Sequence, residues 1–340
     1  MRHQSSRVLV TTLIVGVALV GACSSDSDSS TQSSSSTVGE AASDGEPVGI
    51  ALSAASTDNG FSQAHYDGLV NACNSVGCSV SVAENADDPQ KQIDALRNLA
   101  ADNGLVIGVG AEFAAAGTVV APQSPDTAFS IINGEPSDAT NLHVYVINQG
   151  YAAYVAGAVA GSITSTGTVG YLGGFDIPPT QGSLEGFRLG AESTKADVNY
   201  LSAIVGSFTD SATAKELAAQ QIAEGADVIY AYLDSATAGV VEAINESGKD
   251  VRLITQAVAD CDVPVVIGGT TLSTANYMRA MVDDYLSGNL PTQPKVFALE
   301  DPDIQKMELC DGQPAELQEL VDSVTTGLND GSTTLPESVV

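Results

Sequence analysis

Residues 224–244 read EGADVIYAYLDSATAGVVEAI, and this stretch carries the pattern that decides the fold. Its first half contains DVIYAYL, an almost unbroken apolar run that predicts a strand buried on both faces. A short polar turn follows, and the remainder has the small and aliphatic residues of a helix that packs on a sheet. Buried strands that are each followed by a helix are typical of parallel sheets covered on both faces.

The same strand, turn and helix recur along the chain. We predict strands at 48–52, 80–84, 105–110, 127–134, 143–148, 168–174, 200–206, 227–233, 251–255, 263–269 and 295–299. We predict helices at 62–75, 90–100, 152–163, 182–194, 211–225, 235–247, 274–288 and near 314–328. These units are too many for one simple sheet, so we expect an α/β fold of two doubly wound parallel-sheet lobes joined by crossover segments. An eight-fold barrel is the alternative at this length.

The chain before these units has the features of an export signal. Two arginines precede the apolar run VLVTTLIVGVALVGA, whose length suits a signal peptide better than a membrane span. The run ends in small residues and Cys23, as in a bacterial lipobox; the alternative is an ordinary secretory signal with a chance cysteine. We expect a lipoprotein signal peptide at 1–22, lipidation of Cys23, and a Ser/Thr-rich flexible tether at 23–46.

The folded domain is expected over 47–340, a length that suits two lobes. The stretches near 134–150 and 289–295 are the expected crossings between them. We accordingly assign 47–148 and 263–290 to the first lobe, and 149–258 and 293–340 to the second.

The cysteines other than Cys23 are even in number, which in an exported protein predicts two disulfides. Three pairings are possible, and we favour Cys73 with Cys78 and Cys261 with Cys310 because the first pair brackets a tight turn. Zinc binding is the competing interpretation of these cysteines. No CxxC spacing occurs, however, and the histidines of the mature chain, His65 and His143, are not near the cysteines.

The charge balance excludes one class of partner. The chain has 12 Lys+Arg against 42 Asp+Glu, a formal net charge of −30. Such an acidic surface repels nucleic acid and anionic lipid, while it says little about a neutral ligand. We therefore expect no nucleic acid polymer as a partner and membrane association through the lipid anchor only.

Motifs for cofactors and catalysis are missing from the sequence. The glycine stretches at 108–117 and 168–174 lack the GxGxxG order, and no GxxxxGK[ST], GxSxG or HExxH occurs. We predict no cofactor, no metal and no catalytic residue. His65 and His143 are expected to be surface or structural residues.

Several longer motifs resemble one family. The chain is similar to the basic membrane protein family of solute-binding lipoproteins, which includes purine nucleoside receptors of ABC transporters. The resemblance rests on STDNGFSQAHYDGL, PDTAFSIING, GYAAYVAGAVAG, GTVGYLGGFDIPPTQGSLEGFRLGAES and GSFTD, in that order. It covers nearly the whole mature domain, and it implies a type I periplasmic-binding-protein fold with a ligand between the lobes.

The resemblance also implies the site. In nucleoside binders of this family two phenylalanines sandwich the base, and Phe61 and Phe208 match them. An inward-packing staple at the start of a helix is the alternative role for Phe61. Asp234 either binds a ligand hydroxyl or caps the helix that starts at Ser235. The full set of expected ligand-binding residues is Asp58, Phe61, Ser62, Gln63, Asn133, Phe208, Asp234, Gln256 and Thr270.

Two departures from the family concern the groups that hold a ribose. The family's acidic segment after VRLIT is QAVADC here, and Leu272 falls about where the family has a lysine. Gln256 and Thr270 or Thr271 are the neutral groups expected to replace them. The expected ligand is therefore a nucleoside, a free base, a modified nucleoside or another small polar ring compound.

We expect this protein to deliver its ligand to ABC permease subunits, as a monomer on the extracytoplasmic face of the cell membrane. A sensor or adhesin with the same fold is the second hypothesis. An extracellular nucleoside hydrolase is the third, and it would require an aspartate cluster around a metal or a poised acid/base pair.

Overall fold

A computed structural model describes residues 45–58 and 60–339. The predicted signal peptide, Cys23 and nearly all of the predicted tether lie outside these residues. The first strand begins at Pro47, where the sequence predicts that the fold starts. The strands are β1 Pro47–Ala51, β2 Ser79–Ala83, β3 Leu105–Gly108, β4 Ala128–Ile132, β5 Leu142–Ile147, β6 Thr168–Gly173, β7 Asn199–Ile204, β8 Val228–Tyr232, β9 Arg252–Ala257, β10 Val266–Leu272, β11 Lys295–Phe297 and β12 Gln305–Leu309.

Helices separate most of these strands. They are α1 Phe61–Val76, α2 Pro89–Ala100, α3 Ala114–Val120, α4 Gln149–Ile163, α5 Pro178–Thr194, α6 Ser211–Ala223, α7 Thr237–Ser247, α8 Thr274–Leu286 and α9 Ala315–Asn329. None of the helices in the described residues has the length and apolarity needed to cross a membrane.

The strands form two sheets of the same design. The first has the order β11-β5-β4-β3-β1-β2, and the second has the order β12-β10-β9-β8-β6-β7. The pairings are parallel except that of β10 with β12, which is antiparallel. The prediction of two doubly wound lobes is confirmed, and the barrel alternative is wrong, because each sheet stays open with its own edge strands.

Each sheet is covered by helices on both faces. In the first lobe, α1 and α8 bury side chains such as Leu69 and Met278 on one face, and α2 and α3 bury Leu96 and Phe113 on the other. In the second lobe, α4, α5 and α9 cover one face, while α6 and α7 cover the other. Burial on both faces explains why the strands read as continuous apolar runs.

Helices α4 and α5 pack unusually closely because small residues line their interface. A Cβ atom at Gly157 would collide with the carbonyl of Phe187, and one at Gly190 would collide with the carbonyl of Tyr154. Glycine at these positions lets the two backbones touch. This contact explains the predominance of Ala and Gly in α4, which is buried along most of its length.

The chain passes between the sheets at three places: at Asn148, at Ser273 and over 298–304. Backbone hydrogen bonds tie these segments together. The N–H of Asn148 donates to the Phe297 carbonyl at 2.9 Å, and the N–H of Ser273 donates to the Ile304 carbonyl at 2.8 Å. These tied segments form a compact hinge.

The hinge corrects two of the predicted lobe assignments. β10 was expected in the first lobe, within 263–290, but it pairs with β9 and β12 of the second sheet. β11 was expected in the second lobe, within 293–340, but it pairs with β5 of the first sheet. The stretch 289–295 therefore connects two elements of the first lobe. The apolar runs of these strands suit either sheet, and only hydrogen-bond pairing distinguishes the two.

Both disulfides that the sequence favours are present. Cys73 and Cys78 are joined where α1 ends and β2 begins. Cys261 and Cys310 join the loop after β9 to the residue that follows β12. The second bond lies wholly within the second lobe.

Candidate ligand-binding site

The order of each sheet defines where a ligand is expected. In the first sheet β1 lies between β2 and β3, and in the second β6 lies between β7 and β8. The chain leaves these central strands toward opposite sides, which opens a crevice beyond their carboxyl ends. The residues that follow β1, β6, β7 and β8 are therefore the candidates for ligand contact. They include Asp58, Phe61, Phe208 and Asp234.

Asp58 organises the start of α1. Its carboxylate accepts hydrogen bonds from the backbone N–H groups of Gly60 at 2.8 Å, Gln63 at 3.0 Å and Ser62 at 3.3 Å. Burial alone would raise the pKa of Asp58, but these donors outweigh it and lower the pKa below its ordinary value. Asp58 thus caps the helix that presents Phe61, and its remaining lone pairs stay on an exposed side chain.

Phe61 is the first residue of α1, and its ring is 49% exposed. That exposure contradicts the inward-packing staple. One side of the ring rests against His65, with 4.1 Å between the ring centroids. Phe61 is therefore available as a platform on its outer face.

The next two residues of α1 differ in their surroundings. Ser62 is buried, and its hydroxyl bonds to Asp58. The amide of Gln63 donates to Asp67 at 3.5 Å, on a face of α1 that borders a shallow depression of about 340 Å³. Ser62 is thus linked to the candidate site by its bond to Asp58. Gln63 lies on a different face of the helix from Phe61.

Phe208 lies half-buried in the second lobe, in the loop between β7 and α6. A Cβ atom on Gly174 would overlap the Phe208 ring, so the glycine that follows β6 leaves the space in which this ring lies. Phe175, the next residue, contacts Phe208 edge to face, with ring centroids 5.5 Å apart and an angle of 75° between planes. Phe175 is 47% exposed.

Phe175 contacts a predicted site residue, Phe208, but was not itself predicted from the sequence. The available signal was GGF immediately after a central strand, within the longest motif that resembles the family. Two glycines before an aromatic residue permit a tight turn and a close ring contact, and both occur here.

Asp234 follows β8, and its backbone N–H donates to the carbonyl of Phe208 at 3.1 Å. The helix α7 begins only at Thr237 and has no side-chain cap, so of the two roles considered for Asp234 the structure does not show the helix cap. Burial raises the pKa of this carboxyl, and the negative charge of Asp58 raises it further. Asp58 follows β1 in the first lobe and Asp234 follows β8 in the second, so the two carboxyl groups are close enough to influence each other's ionisation across the lobes.

Gln256, at the carboxyl end of β9, has a partner that the sequence did not reveal. Its Nε2 donates to Oε1 of Gln149 at 3.3 Å. Gln149 is the first residue of α4, directly after the first crossing between the lobes. The two amides therefore lie together next to the hinge, where a ligand between the lobes can reach them.

The structure does not bring Asn133 and Thr270 into the site in the expected way. Asn133 has a φ of 56°, and its side-chain oxygen accepts the N–H of Ile147 at 2.8 Å, so it holds the turn after β4. The Thr270 hydroxyl is buried and lies 2.8 Å from that of Tyr230. Thr270 thus lies next to Tyr230, whose side chain packs in the core beneath α4, α5 and α9.

Within the part of the chain that the structure describes, no group of three or more His, Cys, Asp or Glu side chains is arranged to hold a metal ion. His143 has a structural contact, because its Nδ1 lies 2.9 Å from the Pro291 carbonyl. His65 is discussed below.

Two doubly wound sheets joined by a three-segment hinge give this chain the fold of type I periplasmic binding proteins. The family model of PnrA-like ABC transporter substrate-binding proteins, Bmp, matches residues 46–296. The chain therefore belongs to this family, as its motifs predict.

Relatives of known or named function show the range of the family. The ABC transporter nucleoside-binding protein BmpA of Lactococcus lactis is 29% identical over 149 residues, which are 43% of this chain and 42% of that protein. A putative ABC transporter glucose-binding protein of Haloferax volcanii is 33% identical over 129 residues, which are 38% of this chain and 32% of that protein. The chain spans about half the length of the curated relatives it matches.

A solved structure shows the same fold. The solute-binding protein of an ABC transporter system from Conexibacter woesei superposes with a TM-score of 0.68 at 24% identity. The superposition covers 86% of this chain and 99% of that one. The likeness therefore extends over both lobes.

Proposed function

We propose that this protein is the extracytoplasmic receptor of an ABC transporter and captures a nucleoside or nucleobase between its lobes. One observation carries the proposal. Aromatic rings follow strands that end at the crevice in both lobes: the exposed Phe61 after β1, and the exposed Phe175 after β6 with the half-buried Phe208 after β7. Two such aromatic platforms are best suited to bind a planar ring compound.

Stacking supplies the main attraction in this proposal. Each base–aromatic contact contributes about 1–3 kcal/mol. His65 contacts one side of the Phe61 ring at a tilt of 49°, which leaves the opposite side for a ligand. Phe208 is held by Gly174 beneath it and Phe175 beside it. A ligand ring between Phe61 and Phe208 would gain contacts from both lobes at once, which favours a closed state.

Polar groups around these rings would read the ligand's edges. The Asp234 carboxylate can accept hydrogen bonds from ring N–H groups or from hydroxyls. The paired amides of Gln149 and Gln256 can both donate and accept. These neutral amides take the place of the family's charged ribose contacts in this proposal. They favour a ligand recognised mainly by its ring.

A sugar is the second candidate ligand. Its basis is the 33% identity to the putative glucose-binding protein of Haloferax volcanii. Aromatic side chains also pack against the apolar faces of sugars, and carboxylates and amides bond well to hydroxyls. The position of Leu272, about where the family has lysine, is compatible with an uncharged ligand.

A thermal-shift screen tests the proposal and separates the candidates. The panel contains free bases, nucleosides and glucose, each at high concentration. A true ligand at about 100 times its Kd adds about 2.7 kcal/mol, which raises Tm by about 5 °C or more in a domain of this size. We expect Phe61→Ala and Phe208→Ala to remove the shift.

Val119→Ala is the matched control, because Val119 is an exposed apolar residue on α3. It should retain the full shift. A shift with glucose alone would favour the sugar. A nucleoside shift that survives both phenylalanine substitutions would overturn the proposed site.

We also propose that the protein is exported and anchored through Cys23, with delivery to permease subunits as its role. The proposal rests on the lipobox-like sequence at residue 23 and on membership of an ABC transporter family. Metabolic labelling with a fatty acid tests it. Wild-type protein should incorporate the label and sediment with membranes, whereas Cys23→Ala should do neither.

A further inference from the structure

His65 is a buried polar residue directly behind the exposed ring of Phe61. It is only 3% exposed, although it lies one turn into the helix whose start faces solvent. Its ring lies between two aromatic neighbours, 4.1 Å from the Phe61 centroid and 5.6 Å from that of Tyr277 on α8. Both contacts are tilted, with interplanar angles of 49° and 58°. Tyr277 is fully buried, so this row of rings ends in the core of the first lobe.

A hydrogen bond fixes the orientation of the imidazole. Its Nδ1 lies 2.7 Å from the backbone carbonyl of Phe61. A carbonyl only accepts, so Nδ1 carries the proton in this contact. Burial lowers the pKa of His65 to about 4, although the Phe61 carbonyl and the Asp58 charge oppose the shift. The imidazole is therefore neutral at physiological pH, with its tautomer set by Phe61.

We propose that His65 is a positioning residue that holds the Phe61 ring in one orientation at the mouth of the site. The inference rests on the proposed function, in which Phe61 contacts the ligand. Two contacts from one side chain support it: the imidazole ring backs the Phe61 ring, and its N–H bonds to the Phe61 backbone.

The physical consequence is a smaller entropy loss on binding. A free phenylalanine side chain at a helix start samples several rotamers, and a ligand would have to select one of them. Ordering one side chain at an interface opposes binding by an amount that corresponds to about a three- to tenfold change in Kd. Because His65 already orders the Phe61 side chain in the free protein, that entropy loss would not occur when the ligand binds. It would also keep the outer face of Phe61 exposed instead of letting the ring fold onto the core.

A fluorescent reporter can test this without knowing the ligand. The sequence contains no tryptophan, so Phe61→Trp introduces a single indole at the platform, which is excited at wavelengths where the ten tyrosines do not absorb. Steady-state and time-resolved anisotropy then report how freely the ring moves. We expect an immobilised indole in the Phe61→Trp protein. Adding His65→Ala should lower the steady-state anisotropy and introduce a fast decay component.

The matched control is Leu69→Ala in the same reporter protein. Leu69 is fully buried on the next turn of α1, so its loss weakens the helix packing without touching residue 61. The indole should stay immobilised in that variant. His65→Phe should retain most of the anisotropy, because it restores a ring behind the indole. Equal anisotropy with and without His65, or an equal loss in the Leu69→Ala protein, would overturn the proposal.

If His65→Ala does not fold, His65→Gln replaces it, since glutamine can donate to the Phe61 carbonyl but supplies no ring. The same loss of anisotropy is expected. Once the screen identifies a ligand, His65→Ala should raise its Kd about three- to tenfold, and Leu69→Ala should change it less than about twofold. A screen without hits contradicts the proposed function, whereas the anisotropy result concerns His65 alone.

Discussion

At the scale of single residues, the site depends on a few side chains that hold others in place. Asp58 caps α1 and so fixes the backbone of Phe61. Gly174 leaves space for the Phe208 ring. Sequence motifs predicted Phe61 and Phe208, because they match a family pattern. The GGF sequence at Phe175 was a usable local signal, whereas Gln149 comes next to Gln256 only through a tertiary contact that no local pattern records.

Gly174→Ala tests the close approach at Phe208. The added methyl group would overlap the ring, which must move as a whole. We expect a loss of about 1–3 kcal/mol in stability, as in other overpacked sites, and weaker binding of any ligand found in the screen. Urea unfolding and titration calorimetry measure the two effects. Gly182→Ala, on α5, is the control and should change binding little; unchanged binding in Gly174→Ala would contradict the assigned role.

Asp234→Asn tests whether this carboxylate is a helix cap or a free group at the site. Its folded pKa is raised, so ionisation is disfavoured in the folded state. The resulting penalty is absent below the unfolded pKa and is fully present above the folded one. Asp234→Asn should therefore raise Tm at pH 7, with a gain that shrinks toward pH 4. A lower Tm at pH 7, as expected for a lost cap, would refute this interpretation.

At the scale of elements, the apolar runs predicted strands and helices well because both faces of each sheet are covered. Among the strands, β12 was not predicted from the sequence. Its residues alternate between buried and exposed, and its antiparallel pairing with β10 lies at a sheet edge. A short half-polar edge strand gives a weak local signal. The lobe assignments of β10 and β11 failed for a different reason, since sheet membership depends on long-range pairing.

Asp227 anchors the turn between α4 and β6, and its replacement tests that element. Its carboxylate bonds to Thr164 at 2.6 Å, to the N–H and hydroxyl of Ser165 at 2.7 Å and to the N–H of Thr166 at 3.0 Å. We expect Asp227→Asn to lower the free energy of unfolding by about 2–3 kcal/mol at pH 7. Asp250→Asn, at an exposed carboxylate, should cost less than about 0.5 kcal/mol.

The pH dependence of the Asp227 variant provides a second check. Burial raises the pKa of Asp227, but its four donors outweigh burial and lower the pKa below the ordinary value. The stabilisation is therefore present above the unfolded pKa and is lost as pH falls through the folded one. Urea unfolding at several pH values should show that the difference in unfolding free energy between Asp227→Asn and wild type becomes smaller below about pH 4. A difference that is constant with pH would contradict a charge-based anchor.

The two disulfides should differ in their contribution to stability. They close loops with sequence separations of 5 and 49 residues. The chain-entropy model assigns about 2 kcal/mol to the short loop and about 4 kcal/mol to the long one. We expect Cys261→Ala with Cys310→Ala to lower the unfolding free energy more than Cys73→Ala with Cys78→Ala. Guanidinium unfolding of both double variants measures this, and the reverse order would contradict the model.

At the scale of the whole molecule, the hinge between the two sheets is the place where the lobes can rotate relative to each other. Three segments cross between the sheets, and hydrogen bonds link them, including one from Gln305 Nε2 to the Asn148 carbonyl at 2.9 Å. Few backbone torsions therefore need to change when the lobes move. Phe61 belongs to one lobe and Phe208 to the other, so a ligand that contacts both favours the closed state.

Native mass spectrometry of the purified protein, before and after addition of bases and nucleosides, tests whether the protein captures such a ligand. We expect a bound mass equal to one nucleoside or base per chain. Phe61→Ala and Phe208→Ala should each reduce the bound fraction, whereas Val119→Ala should leave it unchanged. Binding of no base or nucleoside at any concentration tested, or binding indifferent to both phenylalanines, would contradict the proposed capture.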